Sequence, residues 1–178
     1  QGDGNESLRS IAAAETMSVK LESDTIGMLL TDVSRLLRGA FDRRVNASDL
    51  ELTPGEARTL IQVALAGGIK QADIAVKLGI EPMTLSTYLD RLEALGLVVR
   101  VPDPGDRRAK NVVIMDAADP ILTAIRAEVR ELMEQVTSGL AEADRERLRA
   151  SLRMLRENLQ QIDRGATGTN PAGKNTAE

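Results

Sequence analysis

The chain of 178 residues contains no cysteine and no histidine. Disulfides, thiolate or imidazole metal sites, and catalytic dyads or triads built on Cys or His are thereby excluded. Tryptophan is also missing, and Phe41 and Tyr88 are the only aromatic residues, so a stacking platform for single-stranded nucleic acid is not expected. Positive charge is not in excess. Lys and Arg number 23 against 27 Asp and Glu, a formal net charge of −4 with pI near 5.1. Any nucleic-acid contact must therefore come from a local patch on an acidic body. No apolar run approaches the ~18 residues of a membrane span, and no secretory apolar segment opens the chain. The expectation is a cytoplasmic protein with no membrane partner.

What is present is mostly helical periodicity. Gln1 and Gly2 read as a tag remnant and are left out of fold reasoning. Residues 1–22 form a polar lead-in with a short helix expected around Leu8–Met17. Ile26, Leu29, Leu30, Val33, Leu36, Leu37 and Phe41 repeat at helical spacing over about Ser23–Val45. Thr53-Pro54-Gly55-Glu56 has the order of a capping box with Pro at the first helical position, and starts a helix that stops at Gly67-Gly68. Shorter helices follow over Gln71–Leu78, ended by Gly79, and from Pro82 to just before Gly96. Leu97–Val101 and Asn111–Ile114 are β-like runs around the turn-rich Pro102-Asp103-Pro104-Gly105-Asp106. Two long helices are expected at about Pro120–Leu140 and Glu142–Asp163, and a tail over 164–178 rich in Gly, Thr, Asn and Ala reads as disordered. The fold class is all-α with a small β-hairpin.

Residues 71–96 carry the strongest functional signal. Short helix, glycine turn and second helix make a helix-turn-helix, whose second helix lies in the DNA major groove. Leu85, Leu89 and Leu92 recur at i, i+4 and i+7 and anchor that helix, leaving Met83, Thr84, Ser86, Thr87, Asp90 and Arg91 for the outward side. Hydroxyls and free amides at its N-terminal end suit base edges or phosphates. An ordinary helical hairpin with a solvated polar face would show the same pattern. The adjoining hairpin favours DNA: Arg100, Arg107, Arg108 and Lys110 cluster in and beside its tip, and a wing of this kind can place Arg in a narrow minor groove. Alternatively Asp103 and Asp106 pair with these arginines and fasten the turn.

A third signal is the run Leu148, Leu152, Leu155, Leu159 and Ile162, alternately four and three apart, a heptad seam. Long helices with this much apolar surface pack either on one another within the monomer or on a second copy. Leu29, Val33 and Leu36 of the first helix join the same account. A twofold dimer would present two recognition helices to pseudo-palindromic half-sites.

These segments resemble the MarR (multiple antibiotic resistance regulator) family of bacterial winged-helix transcription factors. The resemblance covers roughly Ile26 to Ile162 and is carried by LTPGEARTL at Leu52–Leu60, IEPMTLSTYLDRLEALGLVVR at Ile80–Arg100, and DPGDRRAK at Asp103–Lys110. Asp106 and Arg108 meet the family's Asp-x-Arg wing signature. The resemblance implies a homodimeric regulator of double-stranded DNA, acting as a repressor by occlusion. It divides the chain into a winged helix-turn-helix domain at 51–116 flanked by dimerisation helices at 23–50 and 117–163. Pro82, Met83, Thr84, Ser86 and Thr87 would face the major groove, with Arg91 nearby as a backbone or structural contact. Arg108 would enter the minor groove, Asp106 would hold the wing, and Arg107 and Lys110 would touch phosphates. Many relatives carry Arg where this chain has Thr87, so its target sequence is expected to differ. Family members often lose DNA affinity on binding small aromatic anions. Here the scarcity of rings implies an aliphatic pocket for a small aromatic or lipophilic effector, and oxidant sensing by Cys or zinc sensing by His is untenable.

Two rival classes stand beside this one. An enzyme lacks support, because no phosphate-cradling Gly motif, nucleophile elbow or metal-ligand spacing appears; no cofactor is expected. A winged module that binds another regulator and not DNA accords with the acidic pI and the absence of Arg at position 87.

Overall fold

The apolar repeat beginning at Ile26 folds into helix α1, Ile26–Ala47, in a computed structural model that describes residues 25–106 and 108–167, with backbone only for 165–167. The expected helix around Leu8–Met17, Arg107 and the tail from 168 onward lie outside the described residues. The chain forms two compact units, Gln1–Arg43 and Arg44–Glu178. The described part of the first is Thr25 and α1 as far as Arg43. Within it Ile26, Leu29, Val33 and Leu36 are exposed.

The second unit begins with the end of α1 and continues into α2, Pro54–Ala66. The capping box forms as the sequence requires. Thr53 Oγ1 accepts from the Glu56 amide, and Glu56 Oε2 accepts from the Thr53 amide at 2.7 Å, which satisfies two otherwise orphaned donors. Helices α3, Gln71–Leu78, and α4, Pro82–Ala94, follow. Gly79 turns the chain between them with φ 62°, the left-handed region that a side chain would disfavour. Gly96, φ 71°, does the same where α4 ends and the sheet begins.

The hairpin is one part of a larger sheet. Strands β2, Val98–Pro102, and β3, Lys110–Ile114, pair antiparallel, with Arg100 opposite Val112 and Pro102 opposite Lys110. Ile69–Lys70, preceding α3, adds strand β1 on the far side of β3, giving the order β1-β3-β2. This third strand is a correction to the two-stranded hairpin expected above. Two residues carry no alternation of their own, and only pairing with Asn111 and Val112 makes them a strand.

The core of the unit lies where α2, α3, α4 and the sheet meet. Leu60, Val63, Ile74, Leu85, Leu89, Leu92 and Val112 are fully buried there, and Val98 is almost so. A single 3₁₀ turn at Asp116–Ala118 leads into α5, Asp119–Val136, whose Ile125 and Leu132 are buried. Arg44, at the end of α1, donates to the carboxylates of Glu128 and Glu131 and to the side-chain Oε1 of Gln135 on α5. Helix α6 runs over Glu142–Thr167, past the Asp163 end expected from the periodicity. Leu148, Leu152, Leu155, Leu159 and Ile162 along it are 37–65% exposed. Within the single chain, Leu148 and Leu152 line a hollow with Met133 of α5, and all five residues keep more than a third of their surface open.

Candidate nucleic-acid interface

Burial of Leu85, Leu89 and Leu92 fixes the rotation of α4, so that Pro82, Met83, Thr84, Thr87, Asp90 and Arg91 are exposed. Met83, a large apolar side chain, is 80% exposed. Ser86 is half-buried and accepts a hydrogen bond from Gln71 Nε2 at 3.0 Å, tying the first turn of α3 to α4. Thr87 Oγ1 donates back to the Met83 carbonyl at 3.2 Å. Arg91 Nε stands 3.9 Å from Oε1 of Glu56, the buried capping carboxylate, which favours the structural side of its expected role.

The seating of α4 on α2 depends on one glycine. A Cβ at Gly55 would lie 2.4 Å from the Tyr88 ring, so the single tyrosine of the chain packs on the N-terminus of α2 only because no side chain stands there. Sequence reasoning placed Gly55 in the capping motif and missed this second duty.

The wing is built by its carboxylates through backbone amides. Asp103 is buried. Its Oδ1 accepts from the amides of Gly105 and Asp106, both at 2.9 Å, and its Oδ2 from Asn111 Nδ2 at 2.9 Å. Lys70 Nζ lies 3.9 Å away. Burial acts to raise the Asp103 pKa, but the bonds from Asn111, Gly105 and Asp106, with Lys70 nearby, outweigh it and hold the carboxyl below its ordinary value. Asp106 Oδ1 in turn accepts the Arg108 amide at 3.0 Å. The turn is thus fastened by side chain–backbone bonds, and Asp103 joins Asp106 as a wing-forming residue. Arg108 and Lys110 are exposed.

Arg100 behaves differently from the other cations of the wing. Its guanidinium donates to Glu93 at 2.5 and 2.9 Å and to Asp90 at 2.6 Å, and its amide donates to Glu93 Oε1. It is a strap between β2 and α4, not a projecting side chain. The hydrogen bond from the Arg100 side chain, then that from its amide, lowers the Glu93 pKa, and the same pairing with Glu93 raises that of Arg100.

These elements enclose a cleft of about 480 Å³ between the first turns of α3 and α4 and the wing, lined by Gln71, Pro82, Ser86, Lys70, Arg108 and Lys110 among others. The cleft brings together Pro82, Ser86, Arg108 and Lys110 of the expected DNA-contacting residues, with Arg100 beside them, and adds Lys70 and Gln71, which sequence reasoning passed over. Lys70 has no neighbouring basic residue in the chain, and only the pairing of β1 with β3 carries it to the wing. A second hollow, about 410 Å³, lies at the corner of α5 and α6. Met133, Leu148 and Leu152 line it, with Arg130, Arg145 and Arg149 around them. Arg145 Nε is buried there with no hydrogen-bond partner.

This arrangement has counterparts. The MarR family model matches residues 50–109, which include α2, α3, α4 and the wing. The solved structure of the transcriptional regulator PA3341 is 30% identical, with a TM-score of 0.64 over 77% of this chain and 99% of its own. The chain belongs to the MarR family. A MarR family transcriptional regulator from Rhodococcus sp. RHA1 is 25% identical, with a TM-score of 0.65 over 76% of this chain and 95% of its own. CouR from Rhodococcus jostii RHA1, solved with bound p-coumaroyl-CoA, shares the fold at 23% identity and a TM-score of 0.61, over 76% of this chain and 94% of its own. The MarR assignment agrees with the winged-helix architecture seen here, a mostly helical chain with a small antiparallel sheet. Among the described residues no helix is long and apolar enough to cross a membrane.

Proposed function

We propose that this MarR protein is a sequence-specific double-stranded DNA-binding repressor, acting as a homodimer on a pseudo-palindromic operator. The observation that carries the reading is the cleft in which Lys70, Arg108 and Lys110 converge beside Pro82 and Ser86 on a chain of net charge −4. A local cationic edge next to an outward helix end is what phosphate positioning requires. DNA binding is assigned to 51–116, with Met83, Thr84, Ser86 and Thr87 towards the major groove, Arg107, Arg108 and Lys110 towards the backbone and minor groove, and Arg91 as a supporting residue. Dimerisation is assigned to 23–50 and 117–163. The exposed seam of Leu148, Leu152, Leu155, Leu159 and Ile162 supports a second copy, as do Leu29, Val33 and Leu36 on α1.

An effector also fits the molecule. The α5–α6 hollow has an aliphatic floor of Met133, Leu148 and Leu152 and a rim of both signs, with Arg130, Arg145 and Arg149 beside Glu134 and Glu142, which suits a small lipophilic body. That CouR binds a CoA ester makes such ligands reasonable first probes.

The test is fluorescence anisotropy with labelled DNA from upstream of the protein's own gene against a scrambled duplex, at several salt concentrations. The reading expects tighter binding to the upstream duplex and a steep fall in log K with log salt. Arg108→Ala is expected to cost about 1–3 kcal/mol of that binding without changing the dimer. Equal, weak binding to both duplexes and to a pool of random sequence would instead favour a winged module that engages another regulator.

A further inference from the structure

We propose that α4 reads thymine methyl groups, so that each half-site is specified by apolar contacts from Met83, Thr84 and Thr87 and not by hydrogen bonds to guanine. This rests on the DNA-binding reading above and names the base chemistry which that reading leaves open.

The major-groove edges differ in what they ask of a protein. Guanine offers two acceptors, met by Arg or Lys. Adenine offers an acceptor and a donor, met by Asn or Gln. Thymine presents a methyl group, met by apolar contact. Residues 82–87 read Pro-Met-Thr-Leu-Ser-Thr, with no long donor among them. Long side chains nearby have partners within the chain, with Arg91 alone among them more than half exposed. Gln71 donates its amide to Ser86. Arg100 is held by Glu93 and Asp90, and Arg91 stands beside Glu56. Glu81, exposed at the helix cap, is an acceptor and would suit a cytosine amino group, not guanine.

The Thr87 hydroxyl narrows the choice further. Thr87 spends its single proton on the Met83 carbonyl, which leaves it a methyl group and acceptor lone pairs to offer. Met83 is 80% exposed in the first turn of the helix, where a flexible, polarisable thioether adapts to irregular apolar surface. The thymine methyl is the apolar group that the major groove presents. Lys70, Arg108 and Lys110 beside it can hold phosphates, which orients the helix without selecting a base.

The experiment selects duplexes from a random-sequence pool with the full chain, then remakes the best binder with deoxyuridine for thymidine inside each half-site. Each contacted methyl lost is expected to weaken binding about three- to fourfold. Met83→Ala should weaken binding to the thymine duplex more than to the uracil duplex, while selection with Thr87→Arg should introduce guanine into the half-site. Equal affinity for the thymine and uracil duplexes overturns the proposal with DNA binding intact, as does a selected half-site rich in guanine and lacking thymine. A uracil effect that persists undiminished when Met83→Ala is combined with Thr84→Ser and Thr87→Ser assigns the discrimination to DNA shape and also overturns it. Selection that enriches no duplex fails the DNA-binding reading itself, and the proposal with it.

Discussion

Asp103 carries more of the wing than any other side chain described. Three hydrogen bonds converge on it from the two ends of the turn, so its charge is used to hold backbone amides in place. Glu93 is a comparable case on α4, where its carboxylate receives the Arg100 strap. Both carboxyls are held below their ordinary pKa. A depressed folded pKa means that the unfolded state takes up protons first as the medium is acidified. The contribution is therefore complete above the unfolded values of about 4, and is lost as pH falls through the lower folded values. Urea unfolding followed by circular dichroism should show a constant midpoint from neutrality down to about pH 5, then a decline below about pH 4. Asp103→Asn and Glu93→Gln should each make that decline shallower. A decline of unchanged steepness in both variants would remove these two groups from the acid response.

At the scale of elements, the geometry of the reading head is set by α2 and its contact with α4. The capping box holds the start of α2, and in the same turn Gly55 receives the Tyr88 ring from α4. Adding a methyl group there forces a shift, because 2.4 Å is far inside van der Waals contact. Gly55→Ala is expected to destabilise the protein by roughly 1–3 kcal/mol, as overpacking of a filled contact does, and to weaken DNA binding by displacing α4. Tyr88→Leu combined with Gly55→Ala should recover part of both losses, which a thermal melt and the anisotropy assay would read. As the sole tyrosine in a chain without tryptophan, Tyr88 also reports its own displacement through its fluorescence. No recovery in the double variant would mean that Gly55 matters for the backbone of the cap alone.

At the scale of the whole molecule, the unresolved demand is the apolar surface of the long helices. Helix α6 buries none of its five seam residues within the single chain, and charge placed in a seam that becomes buried is costly. Replacing Leu152 and Leu155 with Glu is therefore expected to convert a dimer to monomers in analytical ultracentrifugation, or to unfold the chain. The winged unit has its own core in Leu60, Ile74, Leu85 and Leu89, so circular dichroism distinguishes the two outcomes. A folded double variant that still sediments as a dimer would place the interface elsewhere. The same step tests the operator reading, since a monomer would bind half-sites independently and lose the preference for paired ones.

Much of this protein is determined by the sequence taken locally. Thr53 and Glu56 announce α2, Gly79 divides α3 from α4, and the spacing of Leu85, Leu89 and Leu92 turns Met83, Thr84 and Thr87 outward. All of these are interactions between residues a few positions apart, expressed through the hydrogen-bonding pattern and pitch of one helix. The rest depends on partners far along the chain. Ile69–Lys70 becomes a strand only beside β3, and Lys70 reaches the wing only through that pairing. Arg100 is grouped with the wing cations by sequence, yet the approach of β2 to α4 hands it to Glu93 and Asp90. Asp103 is a turn residue by composition and a buried clamp by virtue of Asn111 across the hairpin. Local spacing decides which way a side chain faces. Only the packing of distant elements decides what it meets there, because burial and charge pairing belong to neighbours in space.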